Sequence, residues 1–484
     1  MSLRPLAPRS IQSSPAAWTT RPWAGNLAQG QAVGYTLRAG RVLTERGPPL
    51  TLAPSAAEGS RLAPGCRLKN IRLLTLILML AFAALGMSAP LITLYLQDLG
   101  SSLAQISLIL ASCGLVALVS NYAWGRLSDR LGRRKPLIAI GLVGAALAYA
   151  ALSQAISPSL AWAARLVEAA MLAAYGTASL AMMGDLFSAP AGRGQEPEGG
   201  GEQSPAGQRG ARMGLYRGAG SLAFAAAAVV GGRLADAYSM RVTLAGCALL
   251  YALAAAAALL LKETPQPARP SSAAGGAAPG PGALAPARRV ALPRTFLAGV
   301  FLWTGAWMGA ASMWPNYMAS LGYSKSAIGS LWGLAAFVEA PASLLVGRLS
   351  DLFGRAPLLA AGGVGLAAVM MGWVFLAQVL PALLGVQVLR GITFPCFTTT
   401  AMTFTAEQGD RQVRGRNSGV YNAVAGAGQL LGLLIAGTVA QARGFPFMFT
   451  IFAAGGLLSA LCFLVLRRAT AAASPHRRAA PAAE

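Results

Sequence analysis

Histidine occurs once in these 484 residues, at His476 near the end, and the five cysteines stand far apart. Cys113, Cys247, Cys396 and Cys462 fall in separate apolar runs, and Cys66 precedes the first of them. That scarcity leaves no metal-ligand spacing, no disulfide framework and no Ser-His or Cys-His pairing. Enzymatic chemistry, a metal site and a resident cofactor are therefore not expected. Charge is scarce too, at 11% of residues against 55% hydrophobic, far too apolar for a soluble multidomain protein. Acids are the rarest of all, 16 against 39 basic residues, for a formal charge of +23. The basic residues are spread over alternate loops and both tails without interleaved aromatics, which excludes a nucleic-acid-binding surface.

The first 68 residues lack a sustained apolar period and hold only Glu45 and Glu58 as acids. Their Arg, Ser, Ala, Pro and Gly content predicts disorder. No compact apolar stretch precedes Arg72, so a cleaved secretory signal is not supported. The Arg-rich, acid-poor composition suits an organellar transit peptide and equally a low-complexity extension.

What the chain does have is apolar runs near the ~20 residues that span a bilayer. Six lie at about 72–96, 103–124, 137–156, 159–184, 214–232 and 242–261. Six more lie at about 295–319, 326–346, 358–378, 381–405, 417–440 and 446–466. The expectation is an all-α membrane protein with twelve transmembrane helices. Residues 69–264 and 294–468 form its two six-helix bundles, joined by a Pro/Ala/Gly/Ser linker at 265–293 and followed by a disordered tail at 469–484. The stretch 190–210, rich in Gly, Pro and Glu, reads as a flexible loop. Basic residues gather in every second gap, which places both termini in the cytoplasm of a plasma-membrane or inner-membrane protein, or an organelle envelope on the transit-peptide reading. Opposite gaps hold little charge, except Arg233, Asp236 and Arg241.

The halves repeat each other. Gly125 to Pro136 reads Gly-Arg-Leu-Ser-Asp-Arg-Leu-Gly-Arg-Arg-Lys-Pro, and Gly347 to Pro357 reads Gly-Arg-Leu-Ser-Asp-Leu-Phe-Gly-Arg-Ala-Pro. The offset, 347 − 125 = 222, also pairs Tyr95 with Tyr317 and Gly100 with Gly322. Further on, Gly214-Leu-Tyr216 pairs with Gly419-Val-Tyr421 at 419 − 214 = 205, because the first half carries the longer loop. Taken physically, Gly125 permits close approach of helix ends, Asp129 is placed to complement a helix N-terminus, and the cluster Arg126, Arg130, Arg133, Arg134 and Lys135 pins a loop to the cytoplasmic side.

On these residues the chain resembles the major facilitator superfamily, whose loop between helices 2 and 3 carries Gly-x-Leu-x-Asp-Arg-x-Gly-Arg-Arg and recurs more weakly between helices 8 and 9. The likeness covers roughly Asn70 to Arg468. Gly125, Asp129, Arg130, Gly132, Arg133 and Arg134 match the first copy. Gly347, Asp351, Gly354 and Arg355 match the second, with Leu352 where an arginine would stand. The resemblance implies a monomeric secondary transporter whose halves rock about a midplane site. It also implies that Asp129 engages the eleventh helix near Arg416, and Asp351 the fifth near Arg212, when the cytoplasmic side is closed. Within the superfamily the twelve-helix drug/proton antiporters are most similar. Their Gly-Pro-x-x-Gly-Gly element appears here as Ala227-Ala228-Val-Val-Gly231-Gly232, and their Arg-x-x-Gln-Gly as Arg165-x-x-Glu168-Ala169.

Ionisable groups inside a bilayer are functional by default. Arg165, Glu168, Leu172 and Tyr175 follow i, i+3, i+7, i+10 in the fourth run, and Arg390, Thr393, Phe397 and Thr400 repeat the pattern in the tenth, at 390 − 165 = 225. The resemblance implies that both stripes face a central cavity, as an anion-attracting or proton-linked site; a buried Arg165/Glu168 pair that only holds helices together is the alternative. Glu339 stands two residues before Pro341, where a helix break would let it titrate. Trp303, Trp307 and Trp314 form a stripe that is either packing or an aromatic wall for substrate. Gly86 and Pro90 mark a bend in the first run. The expected function is proton-coupled efflux of a small amphiphilic compound across a lipid bilayer, with uptake of a sugar or organic anion, or a non-transporting sensor, as alternatives.

Overall fold

The computed structural model describes residues 64–188, 205–263, 292–408 and 411–472. Nearly all of the expected leader, inter-half linker and tail lie outside those residues, as does His476. Among the described residues there are thirteen α-helices and no strand. The first half comprises α1 (Pro64–Ser88), α2 (Ile92–Asp98), α3 (Leu103–Leu131), α4 (Lys135–Ser153), α5 (Pro158–Ser188), α6 (Pro205–Ala237) and α7 (Met240–Leu259). The second comprises α8 (Arg294–Ser320), α9 (Lys325–Phe353), α10 (Arg355–Leu376), α11 (Leu380–Glu407), α12 (Arg411–Arg443) and α13 (Phe445–Ala472). Every one but α2 contains a stretch long and apolar enough to cross a membrane, twelve in all.

The extra helix arises at Pro90. With no N–H to give, proline breaks the ladder, and the chain turns at 89–91 before resuming as α2, so the first apolar run is two helices and not one. By contrast α9 runs through Pro341 unbroken, and Glu339 does not sit at the expected break. The stretch 190–210 is likewise not wholly a loop, since α6 begins at Pro205.

Packing repeats as the sequence does. In the first half α1 packs on α6 and α7, α3 on α5, and α4 on α5 and α7. In the second, α8 packs on α12 and α13, α9 on α11, and α10 on α11 and α13. Matched tyrosines serve matched tasks: Tyr95 Oη donates to Leu152 O at 2.8 Å and Tyr317 Oη to Trp373 O at 3.2 Å. In lipid, helices gain nothing from hiding apolar surface, so close contact through small residues must hold them. Between α8 and α12, Gly305, Gly428 and Gly432 bring the two backbones so close that a methyl on Gly432 would collide with Gly305 O.

The two halves touch along two seams, α6 with α9 and α3 with α12, which the repeat exchanges. They touch more briefly where α2 meets α8, with Asn316 Nδ2 donating to Gln97 Oε1 at 2.6 Å and to Thr93 O at 3.3 Å. Both seams lie toward the end remote from Gly125 and Gly347. There Gly232 lies against Lys325 O, Gly329 against Ala228 O, and Gly437 against Leu103 O. At the signature end no such contact is made: no atom of another helix among the described residues lies within 4 Å of where a Cβ on Gly125, Gly347 or Gly419 would be.

Candidate functional site between the halves

The signature stretches are largely helix and not loop. Gly125 to Leu131 forms the last turns of α3, the chain reverses at Gly132 with φ 60°, and α4 starts at Lys135 with Pro136 in its first turn. Gly132 is the left-handed residue that ends a helix without a Cβ penalty. In the second copy Gly354 also takes a positive φ, 86°, between α9 and α10, but with an extended ψ of 165°. Around Gly125, and at its repeat equivalent Gly347, no other helix among the described residues comes within 4 Å of where a Cβ would be, so the close approach expected at Gly125 is not made in this conformation.

The signature arginines tie each half to itself. Arg134 pairs with Asp185 at the end of α5, while Glu263 accepts from the backbone N–H of Arg134 and, at 3.1 Å, of Lys135, capping α4. Arg355 pairs with Asp351 at 2.7 Å and Glu407 at 2.6 Å, and donates to Ser350. Asp185 and Glu407 are repeat equivalents, 407 − 185 = 222. Arg130 and Arg133 are exposed. Asp129 is exposed and has no ion pair among the described residues, so its expected engagement near Arg416 is absent in this conformation. Asp351 pairs within its own helix; the side chain of Arg212, its expected partner, lies outside the described residues.

Between the halves lies a cavity of about 980 Å³, walled by α1, α2, α3, α5, α8, α9 and α12. Arg165 and Glu168 enter it from α5 as an ion pair, their side chains only 15% and 5% exposed. The pair stays within one helix turn, and Arg165 Nε has no hydrogen-bond partner among the described residues. Around it are the Leu, Ala and Trp side chains of an apolar wall, interrupted by Asn121, Asn422 and Gln429. Asn121 and Asn422 are exposed, so the vestibule widens toward the signature end.

A smaller recess of about 250 Å³ adjoins it, sharing Leu85, Trp307 and Trp332. Arg390 enters the recess from α11, and Glu339 from α9. The Arg390 guanidinium lies 4.3 Å from the ring centre of Trp332, 5.4 Å from Trp307 and 5.8 Å from Trp314. Three indole faces thus hold a buried cation whose Nη1 has no hydrogen-bond partner among the described residues.

The remaining candidates fall away from the cavities. Tyr175 is buried against Gly141 of α4 and Thr393 against Gly365 of α10, each outside both linings. Trp303 donates to Gly362 O at 3.0 Å and stacks on Phe397, and Trp314 is fully buried, so the tryptophan stripe reaches substrate space through Trp307 alone. Trp332, Asn121, Asn422 and Gln429 do not stand out in the sequence because none is charged; the one available signal is the i, i+7 spacing of Asn422 and Gln429 on α12.

The profile of the MFS_1 like family matches residues 71–451. The chain belongs to this family of the major facilitator superfamily, as a multi-pass membrane transporter. A relative from Deinococcus radiodurans named "Putative sugar efflux transporter" is 28% identical over 394 residues, 79% of this chain and 94% of its own length. The puromycin resistance protein pur8 of Streptomyces alboniger is 30% identical over 164 residues, 32% of this chain and 31% of its own. Among solved structures, a bacterial homologue of the human lysosomal transporter Spinster, inward-facing and occupied, superposes with a TM-score of 0.66 at 15% identity. It covers 84% of this chain and 98% of that one, a likeness of fold.

Proposed function

We propose that this transporter exports a small ring-bearing molecule with an apolar face and several hydrogen-bonding groups, sugar-like or drug-like, in exchange for protons. The observation that carries the reading is that Arg165 and Arg390, one from each half, both reach the space between the halves in adjoining cavities that share Trp307 and Trp332. Flat aromatic walls with a few amides suit such a ligand, and a cavity of about 980 Å³ is ample for it. The Deinococcus radiodurans relative, named for sugar efflux, supports the direction. On a topology with both termini cytoplasmic, which the basic loops support, the signature end faces the cytoplasm and the described conformation is the one open to it.

In this cycle substrate entering from the cytoplasm competes for Arg165, and Glu168 takes the proton that returns inward. Glu168→Gln in proteoliposomes should retain substrate counterflow and lose pH-driven accumulation; accumulation that persists would remove Glu168 from coupling. Asp129, solvent-exposed in this conformation, would meet α12 only when the signature end shuts. Asp129→Asn should slow net transport about tenfold, the scale of one lost charge–dipole contact, without reducing the amount of folded protein; an unchanged rate would discard that contact.

A further inference from the structure

The outlying charges at Arg233, Asp236 and Arg241 stand on the side where the loops are otherwise nearly neutral, and Asp236 lies on a seam between the halves. Its carboxylate accepts from the backbone N–H of Lys325 at 3.1 Å and of Ser326 at 2.7 Å, the first two helical residues of α9. On the other seam the Gln441 side-chain oxygen accepts from Ala104 N–H at 3.0 Å, in the first turn of α3. These are one interaction twice. The acceptors differ by 441 − 236 = 205 and the donors by 326 − 104 = 222, the two offsets of the sequence repeat.

Each helix start is thereby capped by two parties. Ser102 and Ser324, themselves repeat equivalents, accept from Gln105 N–H and Ala327 N–H three residues on, as a helix's own cap does. The groups nearest the start are left for the opposite half. Behind each cap a glycine gives the close fit: Gly232 against Lys325 O at α9, Gly437 against Leu103 O at α3, again offset by 437 − 232 = 205.

We infer that Asp236 and Gln441 are a matched pair of latches that hold the end remote from the signature loops shut, and that the carboxylate is the stronger one. The inference rests on the alternating-access reading above. Both side chains are exposed, so the N–H groups they release on opening pass to water without being stranded. A latch of that kind biases a population and does not lock it. The carboxylate carries charge to the positive end of a helix and accepts two bonds; the amide accepts one. One copy of the repeat has therefore kept a stronger hold than the other.

The test uses spin-labelled cysteines in the full chain with its native cysteines replaced. Ile156 and Val379, exposed loop residues in opposite halves, report on the remote end; Leu131 and Phe353 report on the signature end. Asp236→Ala should shift the populations about tenfold toward a longer 156–379 and a shorter 131–353 distance, and Gln441→Ala about threefold. Gln441→Glu, which supplies the missing charge, should move them the opposite way. Two distance populations indifferent to all three substitutions would overturn the latches while leaving alternating access intact. A thermal melt lowered by Asp236→Ala with unmoved distances would overturn them too, in favour of a purely structural cap. A single population whatever the substitution, with or without a substrate-side pH gradient, would instead sink the alternating-access reading itself.

Discussion

Valine at Gly437 and valine at Gly432 should each reduce transport by about a hundredfold, the scale set by overpacking a close helix contact, and should do so for opposite reasons. Both glycines lie on α12, five residues apart, and at both a Cβ would strike a carbonyl oxygen of another helix: Leu103 O at Gly437, Gly305 O at Gly432. Gly305 belongs to α8 in the same half, so that contact persists through any motion in which each half moves as a body. Its loss is paid in folding, and Gly432→Val should melt well below the parent protein. Leu103 belongs to the other half, and Gly437 meets it only while the remote end is shut. Gly437 N–H also donates to Ser107 Oγ across this seam at 2.6 Å. Gly437→Val should therefore melt like the parent and accumulate with the remote end open, read as a longer 156–379 distance. Equal loss of melting temperature in the two variants would show that the Gly437 contact is part of the fold and not of one state.

That contrast also marks what the sequence could and could not disclose. The number of membrane-spanning helices and their correspondence between the halves were legible, because bilayer thickness fixes the length of an apolar run and the repeat fixes which helices match. Arg165, Glu168, Arg390 and Glu339 were legible as intramembrane charges, and the structure places all four at the cavity walls. Neutral residues such as Trp332 and Gln429 carry no such flag, and only assembly of the two halves brings them beside the arginines. Asp129 was legible as a motif, and its contact near Arg416 is expected of a closed state other than the one described, since a sequence holds every state of the cycle and a structure one. Asp236 was visible only as an exception to the charge pattern. Gln441, doing the same work without charge, became recognisable when the repeat offsets met the hydrogen bonds.

Arg390 gives the second large effect. A buried cation whose only service is to packing is replaceable: leucine in its place would fill part of the tryptophan cage, remove a desolvation cost and leave the protein as stable or more so. On that reading Arg390→Leu transports normally. If the guanidinium instead meets substrate, the same substitution should keep or raise the melting temperature while lowering transport about a hundredfold, the loss expected when a buried charged hydrogen bond to ligand is removed. Arg390→Lys separates charge from shape. Its ammonium keeps the charge but cannot lie flat on Trp332, which the guanidinium approaches at 4.3 Å, so an intermediate loss of about tenfold is expected. Glu339 shares the recess, and adding Glu339→Gln to Arg390→Leu discriminates further. Were Arg390 present only to offset Glu339, the double variant would recover transport; a cation that meets the ligand predicts a stable protein that still fails to carry it.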